Sequence, residues 1–164
     1  MNFLILFIIV INVVLVCLLL RHSIINSYKD KGISFKESLD LTDLPIITVY
    51  QGSKRFNFLI DTGATKSIFD SNQIDSLITY KDTDDISYVM GIEGNKSIVR
   101  NISISFYRNE LKFNSTFQAV DMSKAFKNIK QETGVSLQGI LGNDFFVKYK
   151  YVIDFKEFIA YIKK

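Results

Sequence analysis

Of the 164 residues, the stretch Leu59-Ile60-Asp61-Thr62-Gly63-Ala64-Thr65 is the one whose types and order could do chemistry. An apolar run stops abruptly at an acid, and a hydroxyl residue, a glycine and two small residues follow. Gly63 permits a backbone conformation that other residues resist and lets an extended ligand approach closely. Thr62 offers a hydroxyl to lock the loop, and Ala64 keeps its floor low. A carboxylate held this way suits general acid–base work on a bound water. The composition narrows the alternatives: with Cys17 the single cysteine and His22 the single histidine, neither an intramolecular disulfide nor a Cys/His zinc site can be assembled. Chemistry must run on carboxylates, hydroxyls, lysines or backbone, with no metal and no cofactor.

The elements that position this loop read as strands. Residues 46–50 and 55–60 form a hairpin around the turn Gln51-Gly52-Ser53-Lys54, with Phe56, Phe58 and Ile60 on one face, and run straight into Asp61. Period-2 alternation returns at Ile102, Ile104 and Phe106, and again at Phe113, Phe117 and Ala119. Short helices are expected at 71–77, at 123–130 and after Asn143, where Asn143 or Asp144 would cap 145–148. Residues 71–83, with their mixed acids, read as a solvated connection, since their oxygens fit no calcium-loop spacing.

Ahead of this domain, residues 3–20 are an 18-residue apolar run interrupted only by Asn12, long enough as a helix to cross most of a hydrocarbon core. No basic residue precedes the run and no small-x-small site follows it, which favours an uncleaved anchor over a signal peptide. Val16 is too bulky for lipid processing at Cys17. Arg21, Lys29, Lys31 and Lys36 all follow the run, so the positive-inside rule leans towards a cytoplasmic domain. The expected organisation is a transmembrane anchor at 1–22, a juxtamembrane linker at 23–43 with one short strand near 33–35, and a folded domain at 44–164. The formal charge of +3 is spread among interleaved acids and bases, which argues against nucleic-acid binding.

The segment around Asp61 resembles the active-site loop of retropepsin-like aspartic peptidases. Downstream, Gly139-Ile140-Leu141-Gly142-Asn143-Asp144-Phe145-Phe146 is similar to that family's apolar-apolar-Gly segment, in which Ile140, Leu141 and Gly142 would thread beside the active loop before a short helix. Tyr88-Val89-Met90-Gly91-Ile92-Glu93-Gly94-Asn95-Lys96-Ser97 resembles its flap, with Met90, Gly91 and Ile92 over the substrate. Tyr151-Val152-Ile153-Asp154-Phe155 looks like the terminal strand of single-lobed bacterial relatives. The resemblance covers about 44–164. It implies a mostly β, closed acid-protease-type barrel of one lobe with one or two short helices, and an endopeptidase.

Because the chain carries one Asp-Thr-Gly where two-lobed enzymes carry two, the resemblance implies a homodimer. Asp61 and its symmetry mate would share one proton, since two carboxylates at short range cannot both ionise comfortably. Thr62 would reach the partner loop, and a polypeptide would be the substrate. Departures from the family pattern are the polar stretch 70–87, the basic Thr65-Lys66-Ser67 continuation and the long C-terminal extension.

The plainer readings stand beside these. Asp-Thr-Gly also suits an ordinary tight turn, and Gly91 with Gly94 an ordinary hairpin connection. Ile140 and Leu141 are core on either reading. Asp144 and Asp154 read as capping or strand-edge acids, and His22 as an interfacial residue. Asn95, Asn101 and Asn114 begin glycosylation triplets that matter only in a secretory lumen. A rival function keeps the fold without catalysis: a membrane-anchored module that binds extended peptides or dimerises. A purely structural anchor would leave Asp61 expendable and the two motifs unexplained.

Overall fold

The structure, a computed structural model, describes residues 2–29, 33–90, 96–108 and 111–162, with backbone alone at 2–6, 21–29, 84, 89, 90 and 96. Among these residues the domain is mostly β with a few helices. Strands β2 (Ile46–Gln51) and β3 (Lys54–Ile60) form the expected antiparallel hairpin, Ile46 opposite Leu59 and Gln51 opposite Lys54. Strand β4 (Ile68–Asp70) leads into a 3-10 turn at Ser71–Ser76. Long strands β5 (Lys81–Met90), β6 (Lys96–Arg108) and β7 (Leu111–Val120) follow as an antiparallel meander. The short strand β8 (Gly139–Leu141) then enters the middle of the sheet, whose order is β2-β3-β8-β4-β7-β6-β5.

The sheet curls until β2 meets β6, but only through the pair Tyr50–Tyr107, so closure of the expected barrel amounts to one bridge with β5 left as an edge. Its inner face packs five phenylalanines, Phe56, Phe58, Phe69, Phe106 and Phe117, with ring centroids 5.2–6.4 Å apart and tilted or edge-on. Offset and T-shaped contacts suit the ring quadrupoles, and full burial of each ring stabilises by about 1.5–3 kcal/mol. The alternation read at 102–106 and 113–119 points inward as expected, with Ile102, Ile104, Phe106, Phe113, Phe117 and Ala119 all buried. On the outer face, α3 (Ser123–Thr133) lays Phe126 and Ile129 against Ile46, Leu137 and Ile140. This second layer explains why β3 reads as a nearly continuous apolar run near Asp61. Helix α3 outlasts the expected 123–130 because the first residue able to leave the helix easily is Gly134, at φ 77°.

Three expectations change. Residues 33–42, read as part of a linker, pack onto the domain. Strand β1 (Ile33–Ser34) pairs with β10 (Ile159–Ile162), α2 (Lys36–Thr42) follows, and Ile33 and Phe35 are buried. The polar stretch after Asp70 is not simply a solvated connection: Ile74 is buried and 81–90 is strand, templated by pairing with β6. Among the described residues the domain holds three α-helices against the one or two expected: α2 was not foreseen, while α3 and α4 (Asn143–Tyr149) fall where helices were expected, and α1 (Asn2–Lys29) covers the apolar N-terminal run. Strand β9 (Tyr151–Asp154) completes a small sheet in the order β1-β10-β9.

Among the described residues no helix is long and apolar enough to cross a membrane. The side chains described in α1 are those of residues 7–20. Those side chains are apolar on every face and exposed, Asn12 excepted.

Candidate active site

Strand β8 lies parallel to β3 on one side, Phe58 opposite Gly139 and Ile60 opposite Leu141, and antiparallel to β4 on the other, Ile68 opposite Ile140. The chain leaving β3 therefore has to cross the end of β8 to reach β4, and the crossing is the loop 61–67. The Asp61 N–H continues the ladder by donating to the Leu141 carbonyl at 3.0 Å, which fixes where the strand stops and the acid begins. Asp61 is half-buried, and its Oδ1 accepts the Gly63 N–H at 2.8 Å. Its Oδ2 has no hydrogen-bond partner among the described residues. The Ala64 N–H donates to the Asp61 carbonyl at 3.2 Å and closes the turn. Thr62, Gly63, Thr65 and Lys66 are exposed, so the loop presents an open outer edge, while Ala64 packs against the second core layer.

The start of α4 fastens the same loop from below. Asn143 donates its N–H to the Ala64 carbonyl and its Nδ2 to the Thr62 carbonyl, both at 2.8 Å. Asp144 Oδ1 accepts the Ser67 N–H at 2.9 Å, the Ser67 hydroxyl at 2.7 Å and the Phe145 N–H at 2.8 Å. The Ser67 oxygen in turn accepts the Gly142 N–H at 3.1 Å. Gly142 has no room for a side chain, since a Cβ there would lie 2.7 Å from the Lys66 carbonyl carbon and oxygen. Gly142, not Asn143 or Asp144, is the N-cap of α4, and the Asp144 side chain serves the loop as well as the helix.

Of the residues singled out in the sequence, Asp61, Thr62, Gly63 and Ala64 are thus brought against Ile140, Leu141 and Gly142. The two β8 residues are buried in different layers, Leu141 in the aromatic core and Ile140 in the outer one. Met90 ends β5 opposite Lys96, with only its backbone described, and Gly91 and Ile92 lie outside the described residues. The residues that sequence reasoning missed are Ser67, Asn143 and Asp144 as holders of the loop. Also missed is the exposed apolar face of the β5–β6 arm, formed by Ile86, Tyr88 and its cross-strand partner Ile98. The spacing Ile86, Tyr88 was a readable period-2 signal; the bond from Ser67 to Asp144 spans 77 residues and left none.

The family described as retroviral aspartyl protease matches residues 41–154, more than two-thirds of the chain, and this match includes the loop, β8 and α4. The chain belongs to that family. Among solved structures the chain is similar to EIAV protease complexed with the inhibitor HBY-793 and to a retropepsin-like aspartic protease from Rickettsia conorii. The first has 16% identity and TM-score 0.48, covering 64% of this chain and 86% of that one. The second has 17% identity and TM-score 0.46, covering 79% and 87%. No curated protein matches the sequence significantly. The retroviral-type domain begins eight residues after Ile33, so β1 and most of α2 precede the matched segment.

Proposed function

We propose that the protein is an aspartic endopeptidase that acts as a homodimer, with one Asp61 from each subunit forming the catalytic dyad. The observation that carries this reading is the single Asp61 loop, fastened along its inner side and open along 62–66, in a member of a protease family. With two loops face to face, the pair holds one proton. The ionised member takes a proton from a bound water, which attacks the scissile carbonyl. The protonated member donates a hydrogen bond to the carbonyl oxygen and later helps protonate the leaving nitrogen. Thr62 bridges to the partner loop and Gly63 gives the peptide backbone room. The β5–β6 arm, with Met90, Gly91 and Ile92 at or near its tip, closes over an extended polypeptide and excludes water. Its exposed Ile86, Tyr88 and Ile98 supply apolar surface for such a substrate or for the partner subunit. Residues 3–20 anchor the chain in a membrane, with the protease domain on the cytoplasmic side.

The test uses the full chain in neutral detergent with an unstructured protein as substrate, at several pH values, comparing wild type with Asp61→Asn. Products from the wild type alone support the dyad. Absence of cleavage from a sample that cross-linking shows to be dimeric refutes a general endopeptidase and leaves a peptide-binding module. Deleting 3–20 tests the anchor: the shortened chain is expected to leave the membrane fraction, and its retention would refute the anchor.

A further inference from the structure

On the outer face of the β2–β3 hairpin, away from the aromatic core, α2 overhangs a cleft of about 310 Å³. Strand alternation brings Thr48 and Tyr50 of β2 and Arg55 and Asn57 of β3 to it, with Thr48 opposite Asn57 and Tyr50 opposite Arg55. Arg108, the last residue of β6, completes the wall with its guanidinium carbon 5.9 Å from the centre of the Tyr50 ring. The cleft therefore gathers two guanidiniums about one tyrosine, against the single carboxylate of Glu37.

The threonine hydroxyls and that of Ser38 are already committed there. Thr48 donates its hydroxyl to Asn57 Oδ1 at 2.9 Å, and the Ser38 and Thr42 hydroxyls bond to backbone. The arginines are not. Among the described residues the ion pairs are Lys36–Asp40 and Arg100–Asp82, neither of them in this cleft. Among the described residues Arg108 Nε is buried without a partner, and Arg55 donates only through Nε, to Asn57 Oδ1 at 3.3 Å. A guanidinium fork matches the paired oxygens of a phosphate or carboxylate, and a buried donor left unmade is unfavourable.

We propose that this cleft is an anion-binding site for a compact phosphate- or carboxylate-bearing molecule, whose oxygens lie between Arg55 and Arg108 and whose body rests on Tyr50. The site is distinct from the Asp61 loop, because Arg55 precedes Asp61 by six residues of extended strand, about 20 Å at 3.3 Å per residue. The anion could reach it free in solution or as the headgroup of an anionic lipid; the recognition chemistry is the same.

The experiment measures thermal unfolding of the full chain in phosphatidylcholine nanodiscs during titration with inorganic phosphate and with citrate at constant ionic strength. A saturable rise in Tm is expected. Arg108→Gln and Arg55→Gln are each expected to raise the half-saturating concentration at least tenfold, while Lys124→Gln on α3 leaves it unchanged. Arg55 is exposed, so its variant decides the matter if Arg108→Gln does not fold. Discs containing phosphatidylglycerol separate the sources. A phosphate response that vanishes there, with a raised starting Tm in wild type but not in Arg55→Gln, assigns the site to a headgroup; an unchanged response assigns it to a free anion. If phosphate, citrate and phosphatidylglycerol all act on wild type and Arg55→Gln alike, the proposal is overturned.

Discussion

Replacing Asp144 by alanine is expected to loosen the Asp61 loop, which Asp144 holds through Ser67. Three donors converge on its Oδ1, and they are not equally dependent on it. The Phe145 N–H keeps a second acceptor in the Gly142 carbonyl at 3.1 Å, so it loses little. The Ser67 N–H keeps none among the described residues, and Ser67 is 1% exposed, so water cannot replace the carboxylate. A buried donor left without a partner costs about 1–3 kcal/mol, and a hydrogen bond to a charged group contributes about 1.5–3 kcal/mol. Discounting the hydroxyl, which can rotate, the expected loss is about 2–4 kcal/mol, a sizeable part of the 5–15 kcal/mol typical of a folded domain. With a urea slope of about 2 kcal/mol/M, the middle of the usual range, near-UV circular dichroism of the full chain in detergent is expected to show the midpoint falling by roughly 1–2 M. Asp144→Asn retains the Oδ1 acceptor and is expected to recover most of the loss. Ser67→Ala removes the other end of the latch, so the double variant is expected to fall short of the sum by about 0.5–3 kcal/mol. A midpoint for Asp144→Ala within about 0.3 M of wild type, or an asparagine variant as weak as the alanine one, would refute the latch.

Phe35→Ala removes a fully buried ring that contacts Phe155 and Phe158 edge-on, and is expected to cost about 3–5 kcal/mol; equal urea midpoints would mean that β1 and Phe35 are not integral to the domain. Gly142→Ala forces a Cβ to 2.7 Å from the Lys66 carbonyl, so a penalty of about 1–3 kcal/mol and a displaced loop are expected, read as lower stability together with lost cleavage. Burial holds the Tyr151 phenol well above its ordinary value of 10.0. The unfolded chain therefore releases that proton at lower pH than the folded one, and stability present below pH 10 is expected to decline as pH rises beyond it. Tyr151→Phe should flatten that decline, and an unchanged alkaline profile would show that Tyr151 does not drive it. Cleavage by the wild type is expected to follow a bell-shaped pH profile, as one shared proton requires, with loss of at least about a hundredfold in Asp61→Asn.

What could be read from the sequence was whatever local spacing encodes. The β2–β3 hairpin, the inward alternation of β6 and β7, and helices near 123 and 143 follow from periods of 2 and 3.6 within short windows. Asp61 stood out because an apolar strand ended on it. The features that escaped notice depend on partners far away in the chain. Ile33 and Phe35 are isolated apolar residues in a polar stretch, and only pairing with Ala160 and the bond from Phe35 N–H to the Phe158 carbonyl buries them. The first half of strand β5, 81–85, is polar throughout, so the apolar alternation that marks a strand starts only at Ile86 and Tyr88 and is too short to define the whole element. The α4 cap, expected at Asn143 or Asp144, falls one or two residues earlier because Gly142 meets the close approach to Lys66, a constraint from β4's side of the sheet rather than from the helix.

The distribution of order around Asp61 bears on the proposed pairing of two copies. Everything inward of the loop is over-determined: a parallel ladder to β8, two bonds from Asn143, a buried latch from Ser67 to Asp144, and a glycine with no spare space. Outward, the described residues offer the carboxylate only the Gly63 N–H, and the loop's next residues are exposed. The β5–β6 arm repeats the asymmetry, with Val99 buried on one face and Ile86, Tyr88 and Ile98 bare on the other. Rigid positioning is useful to a catalyst only if the reacting group faces a second wall, because a preorganised site works by excluding water as well as by holding its groups. A second loop and a second arm, related by a twofold axis, would supply the missing wall, cover the bare apolar face and set a second carboxylate beside the first.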